Sequence, residues 1–287
     1  MLDITREEVR EYLFTEISAV LKEGEIDYVK WDMNRNLSDV WSKALPKERQ
    51  GEVYHRYVLG VYALMEHFVA AFPDILWESC SGGGGRFDAG ILYYMPQIWC
   101  SDNTDAIERL QIQYGTSFGY PISSMGSHVS ASPNIQTGRS TPIQTRAVTA
   151  MAGSFGYELD VRKLGKEERE AIKEQIREFQ QMYPLIHYGD YYRLTNAQQD
   201  REFTAWQFVD ETKSESLVFV VMLRARSNSP FFRLRLRGLK EDGFYRIAEG
   251  GEEVYEGRAL MYGGILLPIV KGDYQSMKFW IQSVNID

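Results

Sequence analysis

The stretch YVKWDMNRN, residues 28–36, sets Lys30, Trp31, Asp32, Asn34 and Arg35 almost side by side at the end of an apolar run. Its left half reads as a buried strand, and no solvated loop separates that strand from the charges. The flanking sequence says what kind of strand it is. Upstream, TREEVREYLFTEISAVLKE (5–23) has helical spacing at Val9, Leu13, Ile17, Val20 and Leu21, a capping-box pattern at Thr5 and Glu8, and Gly24 as a stop. Downstream, a helix at about 48–71 ends before Pro73, and the strand DILWES (74–79) follows. The alternation continues with the strand QIWCS (97–101), a helix at 105–117, the strand PISSMGS (121–127), a helix at 142–152, the strand SFGYEL (154–159) and an amphipathic helix at 166–182. Strands alternating with helices make parallel β/α units, and runs this apolar imply strands covered on both faces.

After about residue 190 the pattern changes. FTAWQFVD, SLVFVVMLRA, FFRLRLRGL, GGILLPIV and KFWIQSV are strands joined by turn residues without helices, and FRLRLRG alternates strictly. The expected organisation is therefore a β/α domain over 1–188 and an antiparallel β domain, a sandwich, over 189–287. Five β/α units fall short of the eight that close a (β/α)₈ barrel, and a doubly wound sheet tolerates the smaller number. The polar residues favour the barrel. Asp32 follows the first strand, Glu78 and Cys80 end the second, Asp102 ends the third, and His128 lies beyond the fourth.

Composition narrows the function. The chain has 287 residues, a formal net charge of −8, 44% hydrophobic and 13% aromatic residues, the latter including 18 Tyr and 6 Trp. With no basic run, nucleic acid is a poor partner. No apolar run reaches the roughly 18 to 20 residues that span a bilayer. The N-terminus lacks a signal-peptide pattern, and two cysteines, Cys80 and Cys100, form no disulfide framework. A cytoplasmic setting is the expectation.

A carboxylate at one strand end is as easily a helix cap as a functional group, and Asp105 reads as such a cap. Three acids at one end, with Lys30 and Cys80, read as a site. Two aspartates facing each other suit glycoside hydrolysis, one attacking the anomeric carbon and the other moving the proton. The glycines of CSGGGGRFD (80–88) let backbone approach a hydroxyl-rich ligand; a phosphate loop would need a Lys-Ser/Thr ending that is absent. A lone His such as His128 is more often structural, and Cys100 reads as core.

KWDMNR, WESCSGGGGRFD and WCSDNTDAIERLQIQYGTS, in this order and spacing, resemble the microbial α-galactosidases of glycoside hydrolase family 36. MGSHVSASPNIQTGR and AGSFGYELD extend the likeness. The resemblance implies a TIM barrel followed by a β domain, and retaining hydrolysis of terminal α-linked galactose in oligosaccharides such as raffinose, stachyose and melibiose. It implies Asp32 as nucleophile and Asp102 as acid/base. Lys30, Trp31, Met33, Asn34, Cys80, Gly82 and Gly83 would lie at the galactose, with the Trp31 indole packing and Arg35 ordering the loop. Lys30 would contact sugar hydroxyls while its charge stabilises Asp32. No metal or organic cofactor is implied, and the full-length enzyme is expected to be a homo-oligomer. The family has a large N-terminal β domain and three further barrel strands before KWD, so the chain resembles the C-terminal part of such an enzyme. Two other readings stand beside this one: an inactive fragment that still binds sugar, and a divalent-metal barrel of the enolase type, with Asp32, Glu78 and Asp102 as ligands and Lys30 as base.

Overall fold

The computed structural model describes residues 2–34, 36–38, 40–248 and 251–285, so Arg35 lies outside the described residues. The chain divides into two compact units, Met1–Asp102 and Asn103–Asp287.

The first unit alternates α1 (Glu7–Glu23), β1 (Tyr28–Asp32), α2 (Val53–Ala71), β2 (Leu76–Cys80), α3 (Ala89–Tyr94) and β3 (Gln97–Trp99). The strands are parallel, with β2 between β1 and β3. One pleat of this sheet meets the helices. There Phe68 of α2, fully buried, lies 5.5 Å from both the Trp31 and the Trp77 rings, in a cluster with Tyr57, Val61, Leu64, Met65, Ile91, Met95 and Ile98. Aromatic and aliphatic side chains bury together in this cluster and hold the helices on the sheet.

Local chemistry at the start of α1 differs from the expected capping box. Arg6 occupies the N-cap without a side-chain cap. Thr5 Oγ1 instead donates to Asp3 Oδ1 and meets Ser42 Oγ at 3.0 Å, and Glu8 pairs with Arg6. The Asp3 carboxylate, two residues before Thr5, accepts the hydroxyl hydrogen bond of Thr5 and that of Ser42 as well. The short helix α3 is absent from the sequence reading because six residues are too few to display a period.

The second unit begins with α4 (Ala106–Thr116), β4 (Met125–Ser130), α5 (Ile143–Ala150), β5 (Ser154–Glu158) and α6 (Lys166–Tyr188). β4 and β5 are parallel. Helix α6 runs past Pro184 to Tyr188, beyond the expected end at 182, since an internal proline removes one hydrogen bond and need not stop a helix held by packing. The rest is antiparallel: β6 (Asp190–Arg193), β7 (Phe203–Val209), β8 (Glu215–Met222), β9 (Arg233–Leu234), β10 (Phe244–Ile247), β11 (Val254–Glu256), β12 (Ile265–Leu266) and β13 (Gln275–Ser283). Six of them form one sheet in the order β11-β10-β13-β8-β7-β6, and β12 pairs β9. FRLRLRG alternates in burial as read, with Leu234 and Leu236 buried and Arg235 and Arg237 exposed, although only Arg233–Leu234 forms a ladder.

The five parallel strands are not equally covered. β2 and β4 are buried nearly throughout, as expected. β1 alternates between exposed and half-buried residues, and β5 is half-buried. Among the described residues β1 pairs only with β2, and β5 only with β4, so each keeps one open edge. That corrects the reading of residues 28–31 as a buried strand: Val29 and Trp31 pack on the helix-side cluster, whereas Tyr28 and Lys30 are exposed. No helix among the described residues is long and apolar enough to cross a membrane.

Candidate active site

Register places two rows of side chains across the pleat that faces away from the helices. Lys30 sits opposite Glu78, and Glu78 opposite Gln97. Two residues along each strand, Asp32 sits opposite Cys80, and the Ser79–Ile98 pairing brings Trp99 alongside Cys80. Trp31 and Met33 belong to the other pleat and pack with the helix-side cluster. Strand alternation thus separates the residues of KWDM into two groups: Lys30 and Asp32 on the site side, Trp31 and Met33 in the core, rather than together at a ligand.

Asp32 is exposed and held on two sides. Asn34 Nδ2 donates to its Oδ2 at 2.9 Å. The buried Cys80 thiol hydrogen-bonds the same carboxylate. Burial pushes that thiol up to about 11; the Gly83 amide pulls against the rise and the Asp32 carboxylate adds to it. Cys80 is therefore a neutral donor at physiological pH, unsuited to act as a nucleophile. Asp102 follows β3, and Trp99 Nε1 donates to its Oδ1 at 3.1 Å. Trp99 meets this carboxyl as a hydrogen-bond donor as well as an apolar wall.

The Lys30 ammonium pairs with Glu78 Oε1 at 3.6 Å and lies 4.9 Å above the Trp99 ring. Its ion-pair partner is Glu78, the carboxylate opposite it in the register, rather than Asp32 next along its own strand. Sequence reasoning placed Glu78 at the strand end; it lies two residues inside, wholly buried, with Gln97 Nε2 donating to Oε2 at 2.8 Å. Taken as a metal set, Asp32, Glu78 and Asp102 do not converge: no group of three or more His, Cys, Asp or Glu among the described residues could hold a metal ion.

The glycine run connects the surroundings of the two aspartates. Gly82 (φ +54°) donates its amide to Asn34 Oδ1, and Asn34 in turn holds Asp32. Gly83 (φ +79°) presses on the other side: a Cβ there would stand 2.7 Å from Ser101 Cα and 2.9 Å from the Asp102 nitrogen. A Cβ on Gly84 would lie 2.8 Å from the Cys100 carbonyl oxygen. These glycines were expected to press on a ligand. Gly83 and Gly84 press on the segment that carries Asp102, and only Gly82 faces open space, with Asn34 Oδ1 at 3.8 Å its nearest neighbour. Ser81 fixes the loop from below by donating to the Met33 carbonyl. Gly83→Ala is expected to cost about 1–2 kcal/mol of backbone strain and, by displacing the Asp102 segment, at least about 10²-fold in turnover. Thermal unfolding read beside steady-state rates on the same variant separates the two effects.

The remaining candidates lie in the second unit. Asp105 caps α4, accepting from the Ile107 and Glu108 amides. Burial opposes its charge, but the Thr137 hydroxyl and the Arg139 guanidinium, 2.6 Å away, hold its carboxyl below the usual range. His128 Nδ1 meets Glu158 Oε2 at 2.9 Å, across β4 and β5. Cys100 is half-buried.

Asp32 and Asp102 thus stand at the same end of parallel strands with one strand between them. Neighbouring strands lie about 4.8 Å apart, so β1 and β3 are roughly 10 Å apart, and side chains leaning inward can reach the separation of about 5–5.5 Å that retaining glycosidases need.

Residues 1–189 match the Melibiase family, and residues 203–281 match the glycosyl hydrolase family 36 C-terminal domain. The chain is 52% identical over 279 residues to the bifunctional alpha-galactosidase/sucrose kinase AgaSK of Mediterraneibacter gnavus, covering 97% of this chain and 29% of that protein. It is 49% identical over 285 residues to alpha-galactosidase AgaA of Geobacillus stearothermophilus, covering 99% and 39%. Among solved structures, AgaA superposes with a TM-score of 0.95 at 49% identity over 99% of this chain and 39% of that one. The alpha-galactosidase of Lactobacillus brevis superposes with a TM-score of 0.96 at 38% identity, over 100% and 39%. Variants of AgaA have been solved with raffinose and with stachyose. The chain spans between about three tenths and two fifths of the length of these relatives. Five parallel strands alternating with helices, followed by an antiparallel sheet, are the corresponding portion of their TIM barrel and C-terminal β domain. The chain belongs to the Melibiase family, glycosyl hydrolase family 36.

Proposed function

We propose that this chain carries the catalytic carboxylates of a retaining α-galactosidase. Asp32 attacks the anomeric carbon of a terminal α-linked galactose, forming a galactosyl ester, while the departing alcohol oxygen takes a proton from Asp102. Asp102 then removes a proton from water, the hydroxyl attacks the same carbon, and the Asp32 carboxylate leaves. The single observation that carries this reading is the glycine loop, which ties Asp32, through Asn34, and the Asp102 backbone to one rigid element. Lys30 and Asn34 face the sugar hydroxyls, the Gly82 backbone lets the ring approach, and the Cys80 thiol and Gly83 support Asp32 and Asp102 from behind. Raffinose, stachyose and melibiose are the substrate class, supported by the raffinose and stachyose complexes of AgaA variants. We assign residues 1–188 to the catalytic barrel and 189–287 to the C-terminal β domain, in keeping with family matches that end at 189 and begin at 203. The two free cysteines fit a reducing, cytoplasmic setting, and the family resemblance supports a homo-oligomer.

One observation favours a second reading for the 287 residues alone: they span well under half of their relatives. On that reading the isolated chain binds galactose without hydrolysing it. The assay that tests both joins this chain to the N-terminal portion of AgaA and follows galactose release from melibiose and raffinose, beside the chain alone. Release by the completed enzyme is expected, and its absence in a folded, completed protein refutes the assignment.

A further inference from the structure

The proposed chemistry uses the row containing Asp32, Cys80 and Trp99, together with Lys30 from the row beneath it, and leaves Glu78 and Gln97 of that lower row unexplained. In that lower row Glu78 is wholly buried. A carboxylate in that setting is strongly unfavourable unless it is paired and hydrogen-bonded, and a pair of well-packed apolar residues would serve the sheet as well or better. Its geometry points upward. Gln97 Nε2 holds Oε2 at 2.8 Å, fixing the carboxylate plane so that Oε1 is presented to Lys30 at 3.6 Å. Lys30 belongs to this row by register, but its side chain reaches out of it. Its ammonium sits 4.9 Å above the ring of Trp99, which belongs to the upper row, and its side chain is 31% exposed against 1% for Glu78. The ammonium thus stands between a buried anion and the open site, its long stem aimed by charge below and by an aromatic face beside it.

We propose that Glu78 is a positioning residue for galactose recognition. Oriented by Gln97, it holds the Lys30 ammonium against Trp99, where Lys30 meets the sugar hydroxyls. This rests on the galactosidase reading above, and the experiment separates the two. Glutamine at position 78 keeps the shape of the side chain and removes its charge. Hydroxyls bound by Lys30 are present in the ground state and the transition state alike, so the loss should appear mainly in KM, with kcat less affected.

The test is a double-mutant cycle with Glu78→Gln and Lys30→Met in the completed enzyme, reading kcat, KM and galactose affinity by calorimetry. Each single change is expected to lower kcat/KM by about 10- to 100-fold. The double variant should fall within about 3-fold of Lys30→Met alone, because the charge of Glu78 acts through Lys30. Glu78→Asp, which retains the charge, should recover part of the galactose affinity. Independent, multiplying losses overturn the proposal, as does a Glu78→Gln defect that only tracks the fraction of unfolded protein by circular dichroism. If Lys30→Met leaves KM and galactose affinity unchanged, the sugar-contact reading of Lys30 fails first.

Discussion

Asp32→Ala in the completed enzyme should lose about 10⁴-fold or more in turnover, and millimolar azide should restore part of it. The loss is that of a nucleophile, which other groups in the site do not replace. The restored product identifies the role. With the carboxylate removed, azide attacks from the face opposite the leaving group and gives the β-galactosyl azide. Asp102→Ala should behave differently. Substrates with poor leaving groups, such as raffinose, need a proton and should slow by about 10²–10⁴-fold. Galactosides of acidic phenols need none in the first step and should still form the galactosyl ester. Azide then attacks that ester from the other face, and the product is the α-galactosyl azide. Equal losses on both substrate types, or the same azide anomer from both variants, would show the roles to be misassigned.

The second large effect concerns the strand edges. Among the described residues β1 pairs on the side of β2 and β5 on the side of β4, which leaves one open edge on each. Tyr28 on β1 is 47% exposed, and β5 is half-buried along its length. Open parallel edges with apolar side chains invite pairing with other chains. The 287 residues made alone should therefore self-associate, and should hydrolyse aryl α-galactosides at least about 10²-fold more slowly than the chain joined to the N-terminal portion of AgaA. Light scattering and the aryl-galactoside assay measure the two consequences. A monodisperse monomer with the rate of the completed enzyme would mean that the open edges are of no consequence.

Much of this was legible in the residues because it depends on short-range pattern. The β/α alternation through β5 and the change to helix-free strands after residue 190 follow from periods of 3.6 and 2. Asp105 could be read as a cap because the amides that donate to it lie two and three residues ahead. What failed depended on partners outside the local pattern. Thr5 leaves its capping box for the Asp3 carboxylate, and β1 is half open because β2 is its one pairing strand among the described residues. The positions of Asp32 and Asp102 at the ends of parallel strands were legible, and the contacts that support them were not. Lys30 and Asp32 could be placed at one strand end, but register decides that Lys30 pairs with Glu78, and register is invisible in one strand. The glycines were rightly taken as a close approach, yet whether they approach a ligand or the Asp102 segment depends on the neighbouring strand. Trp31 and Met33 carry the one signal that was available and underused. They alternate with Lys30 and Asp32, and alternation alone sends them to the opposite pleat.

The claim at the centre of this account is that Asp32 bonds to the sugar. A fluorinated galactosyl fluoride that forms the glycosyl ester but hydrolyses slowly, applied to the completed enzyme and followed by peptide mass mapping, tests it directly. The predicted result is one adduct per chain on the peptide containing YVKWDMNR, with fragmentation locating it at Asp32. An adduct on Asp102, or rapid turnover to β-galactose with no adduct, would contradict the account.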